Sequence, residues 1–481
     1  MKSIKGFENI RESFRTRQVR YGGYAALLTL AVIAGLILVN LMMGQFAPQI
    51  DLTSSKLYSL SDQTIKVLGD INTPVKFYGL WKPGEESHDV MPVIKLYLAK
   101  CSNISLELVD PDKNPGFVVR YDKERKGIQR GTLIVEGAKG FKVIAPYDMY
   151  DVTQNPQSGP TVTGMSVERR ITGALLYVGT GTTPVVYEIT GHNEISLMNL
   201  KMQDMIEREN YSLKSLNLLL GEVPSDASAL ILNGPRKDLA PAEAEKLLAY
   251  LGKGGRLLVT ADYNIRELEN LNDVLSSYGL KYDYGIVRET DKSYLVIDPR
   301  SEWPDMADHD ITKPLMDKTK TPVVLLEAMS LSILETKRRT VEIAPLMTSS
   351  PSAFLRTDLN NTSAFKLPQD ISGPLTLGVA VKDPSYVQGN EPQARIVAFG
   401  SGNLLPIALG GFDTNRDIFM NSLTWLQDRP ETISVRSKSL FLLPLNLNLI
   451  QLIIFGGLFI FIIPAAFFIT GFVTWLKRRH L

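Results

Sequence analysis

Two short loops contain the residues of this sequence whose types and spacing could support chemistry. The first loop, Gly191-His192-Asn193-Glu194, holds an imidazole and a carboxylate two positions apart. His192 could titrate near neutral pH or bind a ligand, and Glu194 could accept hydrogen bonds. The alternative interpretation is structural: Asn193 would cap the following helix, and Glu194 would complement the helix dipole.

The second loop is Gly400-Ser401-Gly402-Asn403, which follows a predicted strand and whose backbone N–H groups could hold an anion. Neither loop belongs to a nucleotide or nucleophile motif, because the sequence contains no GxxxxGK[ST] phosphate loop and no GxSxG elbow. Any nucleotide-driven work must therefore come from a partner. The sequence predicts two ligand-binding candidates and no catalytic residue.

Composition argues against several classes of function. The chain of 481 residues carries 52 basic and 51 acidic side chains, a balance that argues against a nucleic-acid-binding protein. Its single cysteine, Cys101, excludes an intrachain disulfide and a CxxC redox pair. The four histidines are scattered, with no HExxH or other dense ligand cluster. We expect no metal and no cofactor.

Strands that alternate with helices position the two loops. The predicted strands are 184–189, 212–219, 229–232, 256–261, 375–381 and 395–399, and the predicted helices are 198–209, 241–251, 268–278 and 413–427. This alternation predicts a largely parallel sheet with helices on both faces. We assign residues 156–445 to an α/β domain of the doubly wound, Rossmann- or flavodoxin-like class, with an irregular insertion at about 282–370. Ligands bind at the carboxyl edge of such sheets, where the first loop lies.

A smaller domain is predicted at residues 70–155, after a linker with a short helix at 46–69. Ser61 is the expected cap of that helix. The elements of 70–155 follow the order β-α-β-α-β-β, which resembles a thioredoxin-like fold. Because the CxxC pair is absent, we expect a scaffold or binding module there and not an oxidoreductase.

Two uncharged apolar segments predict membrane helices at 21–45 and 446–476. The second is long enough to cross a hydrocarbon core of roughly 30 Å. A signal peptide is the competing interpretation of 21–45, but its apolar core would be shorter. The basic flanks, 1–20 and 477–481, predict that both termini are cytoplasmic and that residues of about 46–446 are extracytoplasmic.

Both predicted spans contain small residues, among them Ala34, Gly35, Gly456 and Gly457. Small residues let helix backbones approach closely in lipid, which favours packing against a membrane partner. Alternatively, the two spans pack only on each other. Residues 1–20 are predicted to form a basic amphipathic helix on the inner leaflet, with a disordered tail as the alternative.

Several segments together carry a resemblance to a known family. They are Asp51-Leu52-Thr53, Tyr58-Ser59-Leu60-Ser61, Thr64, Thr190-Gly191-His192-Asn193-Glu194, Asn233-Gly234-Pro235, residues 249–259, His309-Asp310-Ile311-Thr312, residues 345–350, Pro464, Gly471, Trp475 and Arg478-Arg479. They resemble the GldG-type family, the auxiliary, substrate-binding-protein-like components of gliding-motility-related ABC transporters. One departure is that Leu404-Leu405 follows Asn403, where a polar-aromatic pair is expected; this puts a ligand role of that loop in doubt.

The resemblance covers nearly the whole chain and has definite implications. It implies a non-catalytic subunit in a bacterial inner membrane, with an ABC permease, a cytoplasmic ATPase and an extracytoplasmic substrate as partners. Two other classes of function stay open from the sequence. One is a membrane-anchored extracytoplasmic hydrolase or amidotransferase-like enzyme that would depend on His192, and the other is a structural cell-envelope tether.

Overall fold

The computed structural model describes residues 24, 27–39, 51, 53, 56–122, 127–155, 159–198, 200–263, 267–316, 322–361, 363–384, 393–408, 412–427, 438–440 and 449–479. The chain divides into two compact units, Met1–Thr53 and Ser54–Leu481. In the first unit the described residues include an apolar helix, α1, Leu27–Val39. This is the described part of the predicted span at 21–45, and the predicted amphipathic segment 1–20 lies outside the described residues.

The C-terminal segment forms a helix over Ile450–Lys477, with a mean hydropathy of 2.8, which is long and apolar enough to cross a membrane. It consists of α11, Leu449–Gly457, a π-helical turn, Leu458–Ile462, and α12, Ile463–Arg479. The π turn lies just before Pro464, which has no N–H group to donate to the preceding turn. The prediction of a helix of spanning length at 446–476 is thus confirmed.

A first lobe of the larger unit is built around a four-stranded sheet. Its elements are α2 Asp62–Gly69, β1 Val75–Gly79, α3 Val90–Lys100, β2 Ile104–Leu108, α4 Pro115–Tyr121, β3 Leu133–Gly137, β4 Gly140–Ile144, a 3-10 turn Pro146–Met149, β5 Tyr150–Asn155, β6 Gly159–Met165 and α5 Val167–Thr180. The sheet order is β2-β1-β3-β4, with β1 parallel to β2 and antiparallel to β3. The element order from β1 to β4 agrees with the predicted β-α-β-α-β-β.

Helix α5 completes the first lobe and was not predicted from the sequence. Apolar side chains at Val167, Ile171, Leu175 and Val178 recur at helical spacing and pack into the core beneath the four-stranded sheet. The helix ends at Gly181, whose φ of 72° lies in the left-handed region that terminates helices.

A second lobe is built around an eight-stranded sheet. Its elements are β7 Val185–Ile189, α6 Leu200–Glu207, β8 Ser212–Leu216, β9 Ala227–Asn233, α7 Pro241–Gly252, β10 Arg256–Thr260, α8 Glu269–Ser276, β11 Leu280–Asp283, β12 Ile286–Arg288, β13 Ser301–Glu302, β14 Asp305–Met306, a 3-10 turn Lys313–Leu315, β15 Leu325–Leu326, β16 Ser330–Ile333, β17 Glu342–Thr348, β18 Phe354–Arg356, β19 Ile371–Ser372, β20 Thr376–Asp383, β21 Ala394–Phe399, α9 Leu404–Ala408 and α10 Asp413–Leu426. The last strand, β22 Lys438–Ser439, pairs with β6 of the first lobe.

The large sheet has a parallel part and an antiparallel edge. Its order is β14-β17-β20-β21-β10-β9-β7-β8, and the five strands from β21 to β8 run parallel. The strands β20, β17 and β14 continue it in antiparallel fashion. The region predicted as an irregular insertion at about 282–370 therefore supplies two strands of the main sheet. The periodicity missed them because β14 has two residues and β17 contains a proline and register shifts.

Helices cover both faces of the parallel part. Along β10, Leu257 and Val259 point to a core that contains residues of α7 and α8, while Leu258 points to a core that contains residues of α6 and α10. Alternate side chains of a strand point to opposite faces, so a buried apolar run requires a layer on each side. This arrangement brings the carboxyl ends of β7, β9, β10 and β21 to one edge.

Candidate functional site

The two loops predicted from sequence meet at that edge. Ile195, which follows the first loop, fills the space between them: a Cβ atom at Gly234 would lie 3.1 Å from Ile195 Cδ1, and one at Gly402 would lie 2.9 Å from the same atom. A Cβ at Gly402 would also lie 3.1 Å from the Cα of Gly234. The strands β7 and β9 are sheet neighbours although β8 separates them in sequence, and α/β sheets hold ligands at such a point. In this protein the side chain of Ile195 packs into the space at the carboxyl ends of β7 and β9.

His192 lies beside this point and is buried, with 3% of its surface exposed. Its Nδ1 is 2.8 Å from Glu194 Oε1, and its Nε2 is 2.9 Å from Glu243 Oε2 on α7. Burial disfavours the charged imidazole, but the hydrogen bonds to both glutamates outweigh it and raise the pKa of His192. In the same way, burial acts against the charge of Glu194, yet His192 holds the pKa of that carboxyl below its usual value.

The first loop is a closed turn and not a helix start. Glu194 accepts hydrogen bonds from the backbone N–H of His192, at 2.7 Å, and of Gly191, at 3.3 Å. Asn193 has a φ of 55°, and the next helix begins only at Leu200. The structural interpretation in which Asn193 caps a helix is therefore wrong, because residues 194–198 after it are not helical. Gly191 and Asn193 are the exposed residues of the loop.

The second loop is fixed by the segment before β16. Ser401 Oγ donates to the carbonyl oxygen of Leu326 at 2.6 Å, and the N–H of Asn403 donates to Ser401 Oγ at 3.3 Å. A Cβ atom at Gly400 would lie 1.9 Å from the carbonyl oxygen of Met329, so this close approach requires glycine. Helix α9, which follows, has five residues. Within the described ranges, no group of three or more His, Cys, Asp or Glu residues could hold a metal ion.

A large opening lies elsewhere, between the two lobes, and was not predicted from the sequence. This interlobe cleft has a volume of about 1060 Å³ and is lined by β4 and α5 of the first lobe and by α6, its C-terminal extension and α10 of the second. None of the four residues of either predicted loop lines it. Clefts of this size at the junction of two lobes are common places for small ligands.

The floor of the cleft is a network of ion pairs between the lobes. Arg169 of α5 binds Glu209 in a bidentate manner, with Nε 3.0 Å from Oε2 and Nη2 2.8 Å from Oε1. Arg170 Nη1 lies 2.8 Å from Glu209 Oε1. Burial acts to raise the pKa of Glu209, but these two guanidinium groups hold it below its usual value. In the sequence, only the two consecutive arginines of α5 indicated this ion-pair network.

A second buried glutamate joins the two ends of the larger unit. Glu168 Oε1 accepts hydrogen bonds from Ser61 N at 2.7 Å and from Thr64 Oγ1 at 2.7 Å. Lys438 Nζ lies 2.6 Å from Glu168 Oε2 and donates to the carbonyl oxygen of Ser59 at 2.5 Å. Burial would raise the pKa of Glu168, but Lys438 holds it below its usual value. The Ser59–Thr64 motif thus fastens the beginning of the unit to the strand before α11.

Comparison with known proteins assigns the second lobe to a family. Residues 183–424, half of the chain, match the family model described as "ABC-type uncharacterized transport system". No curated protein matches the chain.

Solved structures give weaker similarities. The mmIFT52 N-terminal domain is 18% identical, with a TM-score of 0.36, over 50% of this chain and 97% of that domain. A ThuA-like protein from Bacteroides uniformis ATCC 8492 is 11% identical, with a TM-score of 0.31, over 50% and 90%. A glutamine amidotransferase from Thermotoga maritima is 13% identical, with a TM-score of 0.28, over 51% and 99%. At these TM-scores the similarities carry no argument about function.

Proposed function

The chain belongs to the ABC-type uncharacterized transport system family, and from this membership we propose that it is a non-catalytic auxiliary subunit that works beside a separate permease and ATPase. The family match is the observation that carries the proposal. The absence of a phosphate loop from the sequence supports the view that a partner hydrolyses the nucleotide. The resemblance of the segments around Tyr58, Gly191 and Ala249 supports the GldG-type, gliding-motility-related branch.

In this proposal both lobes are extracytoplasmic binding modules. The order β2-β1-β3-β4 of the first lobe supports a thioredoxin-like domain without redox chemistry, because the chain has one cysteine. In the second lobe, the parallel order β8-β7-β9-β10-β21 supports a doubly wound, flavodoxin-like domain. If the edge loops contact a ligand, Gly191 and Asn193 are the exposed residues that can reach it.

The membrane arrangement is also part of the proposal. We propose two spans in a bacterial inner membrane, with both termini cytoplasmic and residues of about 46–446 outside. The apolar helices Ile450–Lys477 and Leu27–Val39 support the spans, and the basic ends of the sequence support the orientation. A Cβ added at Gly456 or Gly457 would have no atom within 4 Å apart from its own helix backbone and chain neighbours, so this face has room for a partner helix.

Co-purification tests the proposal. A tagged chain extracted from its own host in mild detergent should bring along an ABC ATPase and a polytopic permease, identified by mass spectrometry. Replacement of Gly456 and Gly457 by leucine should preserve insertion and reduce the yield of both partners, because it blocks close helix approach. Phe468→Leu, a large apolar exchange on the same helix, is the matched control and should keep them. A wild-type chain that brings along neither protein would refute the auxiliary role.

A further inference from the structure

The interlobe cleft has walls of opposite charge. The first-lobe wall carries the cations Lys139, Lys142, Arg169 and Arg170 against the acids Asp122 and Asp148. The second-lobe wall carries the acids Asp204, Glu207, Glu209 and Asp417 against one cation, Arg208. Four cations thus face four carboxylates across the opening. This segregation by lobe sets up a field directed across the cleft.

At the floor the opposite charges already neutralise each other. Arg169 and Arg170 are committed to Glu209 at hydrogen-bonding distance, and Arg169 Nη1 also lies 3.5 Å from Asp417 Oδ1. These pairs hold the lobes together and leave little charge there for a ligand to satisfy.

At the rim, Arg208 Nε of the second-lobe wall lies 3.1 Å from Asp148 Oδ1 of the first, whereas Lys139, Asp204 and Glu207 stay apart. Lys139 is exposed and donates a hydrogen bond to the carbonyl oxygen of Thr180, at 3.2 Å, without an ion pair among the described residues. On the opposite wall Asp204 and Glu207 are exposed on α6, one helical turn apart, and within the described part of the chain neither forms an ion pair. The rim therefore offers a cationic group on one side and two carboxylates on the other.

Two aromatic rings also line the cleft. Tyr177 of α5 lies beneath the ammonium group of Lys142, with 5.5 Å from Nζ to the ring centre. Tyr147 is 59% exposed and lies beneath the guanidinium of Arg208 at 5.5 Å. Such rings provide apolar contact area near fixed charges, as in ligand clefts generally.

We propose that the interlobe cleft binds a zwitterionic solute of the short-peptide class, with the ammonium group toward Asp204 and Glu207 and the carboxylate toward Lys139. A multiply charged anion would meet the exposed carboxylates of Asp204 and Glu207, and a polycation would meet the exposed ammonium group of Lys139. A solute that carries both charges at separated ends matches both walls. This inference rests on the proposed function, since it gives the auxiliary subunit its substrate class.

The experiment measures binding of trialanine to the purified full-length chain in detergent micelles by isothermal titration calorimetry. N-acetyl-trialanine amide, which lacks both terminal charges, is the ligand control. We expect trialanine to bind and the capped peptide to bind at least about tenfold more weakly, because each charge-assisted hydrogen bond that is lost weakens the complex substantially.

Matched variants assign the binding to the two walls. Lys139→Gln and the pair Asp204→Asn with Glu207→Gln should each weaken trialanine binding about tenfold. Lys76→Gln on β1 and Glu245→Gln on α7 remove exposed charges outside the cleft and should leave binding unchanged. Absence of trialanine binding, equal binding of the capped peptide, or indifference to both wall variants would each overturn the proposal. Because the assay contains no permease or ATPase, its failure is distinct from failure of co-purification.

Discussion

The carboxyl edge around His192 and the interlobe cleft are two polar regions of this molecule that differ in how their charges are satisfied. At the edge, one buried imidazole is held between Glu194 and Glu243, and Ile195 fills the adjoining space. At the rim of the cleft, Lys139 and Asp204 are exposed on walls that belong to different lobes. The edge has the sequence pattern expected of a ligand site, whereas the cleft has the accessible surface of one.

The difference teaches that the same residue types act in opposite ways according to their partners. A buried charge that is already paired has little left to offer a ligand, and removing its partner is strongly destabilising because the remaining charge is left uncompensated. A solvated charge contributes little to stability but can bind a ligand at low cost in desolvation. Substitutions at the edge should therefore alter folding, and substitutions at the rim should alter binding.

The largest effect is expected for Glu243→Ala. It leaves the Nε2 of His192 and the N–H of Ala240 without their acceptor inside the protein, so we expect a loss of about 3 kcal/mol in the free energy of unfolding. Urea unfolding of the full chain in micelles, followed by tryptophan fluorescence, measures this loss. Glu245→Ala, an exposed position on the same helix, is the control. Equal stability of the two variants would show that the edge is not held by its charges.

The pH dependence of the free energy of unfolding also tests whether the charges around His192 stabilise the edge. The pKa of His192 is raised in the folded state, so the folded protein binds this proton more tightly than the unfolded chain does. The stabilisation is complete below the unfolded pKa, near 6.5, and is lost as the pH rises through the folded value. We expect the advantage of the wild type over His192→Gln to decline between pH 6 and 9. An advantage that grows with pH over this range would mean that the buried ring is neutral.

A smaller effect is expected for Ile195→Ala. The side chain packs against Gly234 and Gly402 and is half-buried, so we expect a loss of about 1–2 kcal/mol, at the low end for large-to-small substitutions. Val119→Ala, which truncates a side chain that is 72% exposed, is the control. A loss no greater than that of the control would indicate that the edge is loosely packed and can open to a ligand.

The smallest effect on folding is expected at the rim of the cleft. Lys139→Gln and Asp204→Asn should each change the free energy of unfolding by less than about 0.5 kcal/mol, because both side chains are exposed. The same urea titration measures this change. A loss comparable to that of Glu243→Ala would mean that the rim charges hold the lobes together, and the contrast between the two regions would disappear.

The local structure was largely predictable from the sequence. Alternation of strands and helices predicted β7 to β10, β21 and their helices, because a buried strand and an amphipathic helix each leave a periodic pattern in the chain. An uncharged segment predicted the helix Ile450–Lys477, since its length and composition alone suffice. Ser61 was predicted as a cap, and its side chain accepts a hydrogen bond from the N–H of Thr64. Helix α5 was missed although its apolar residues have helical spacing.

The partners of the polar residues were decided only by the tertiary structure. His192 and Glu243 are 51 positions apart, and the lysine that pairs with Glu168 is Lys438, near the other end of the unit. Local periodicity determines which face of a helix or strand is apolar. It does not determine which charged residue, distant in sequence, will lie beside a given side chain. That depends on how the sheet orders its strands and how the lobes pack. The sequence alone could therefore locate the carboxyl edge, and only the packed lobes created a cleft with walls of opposite charge.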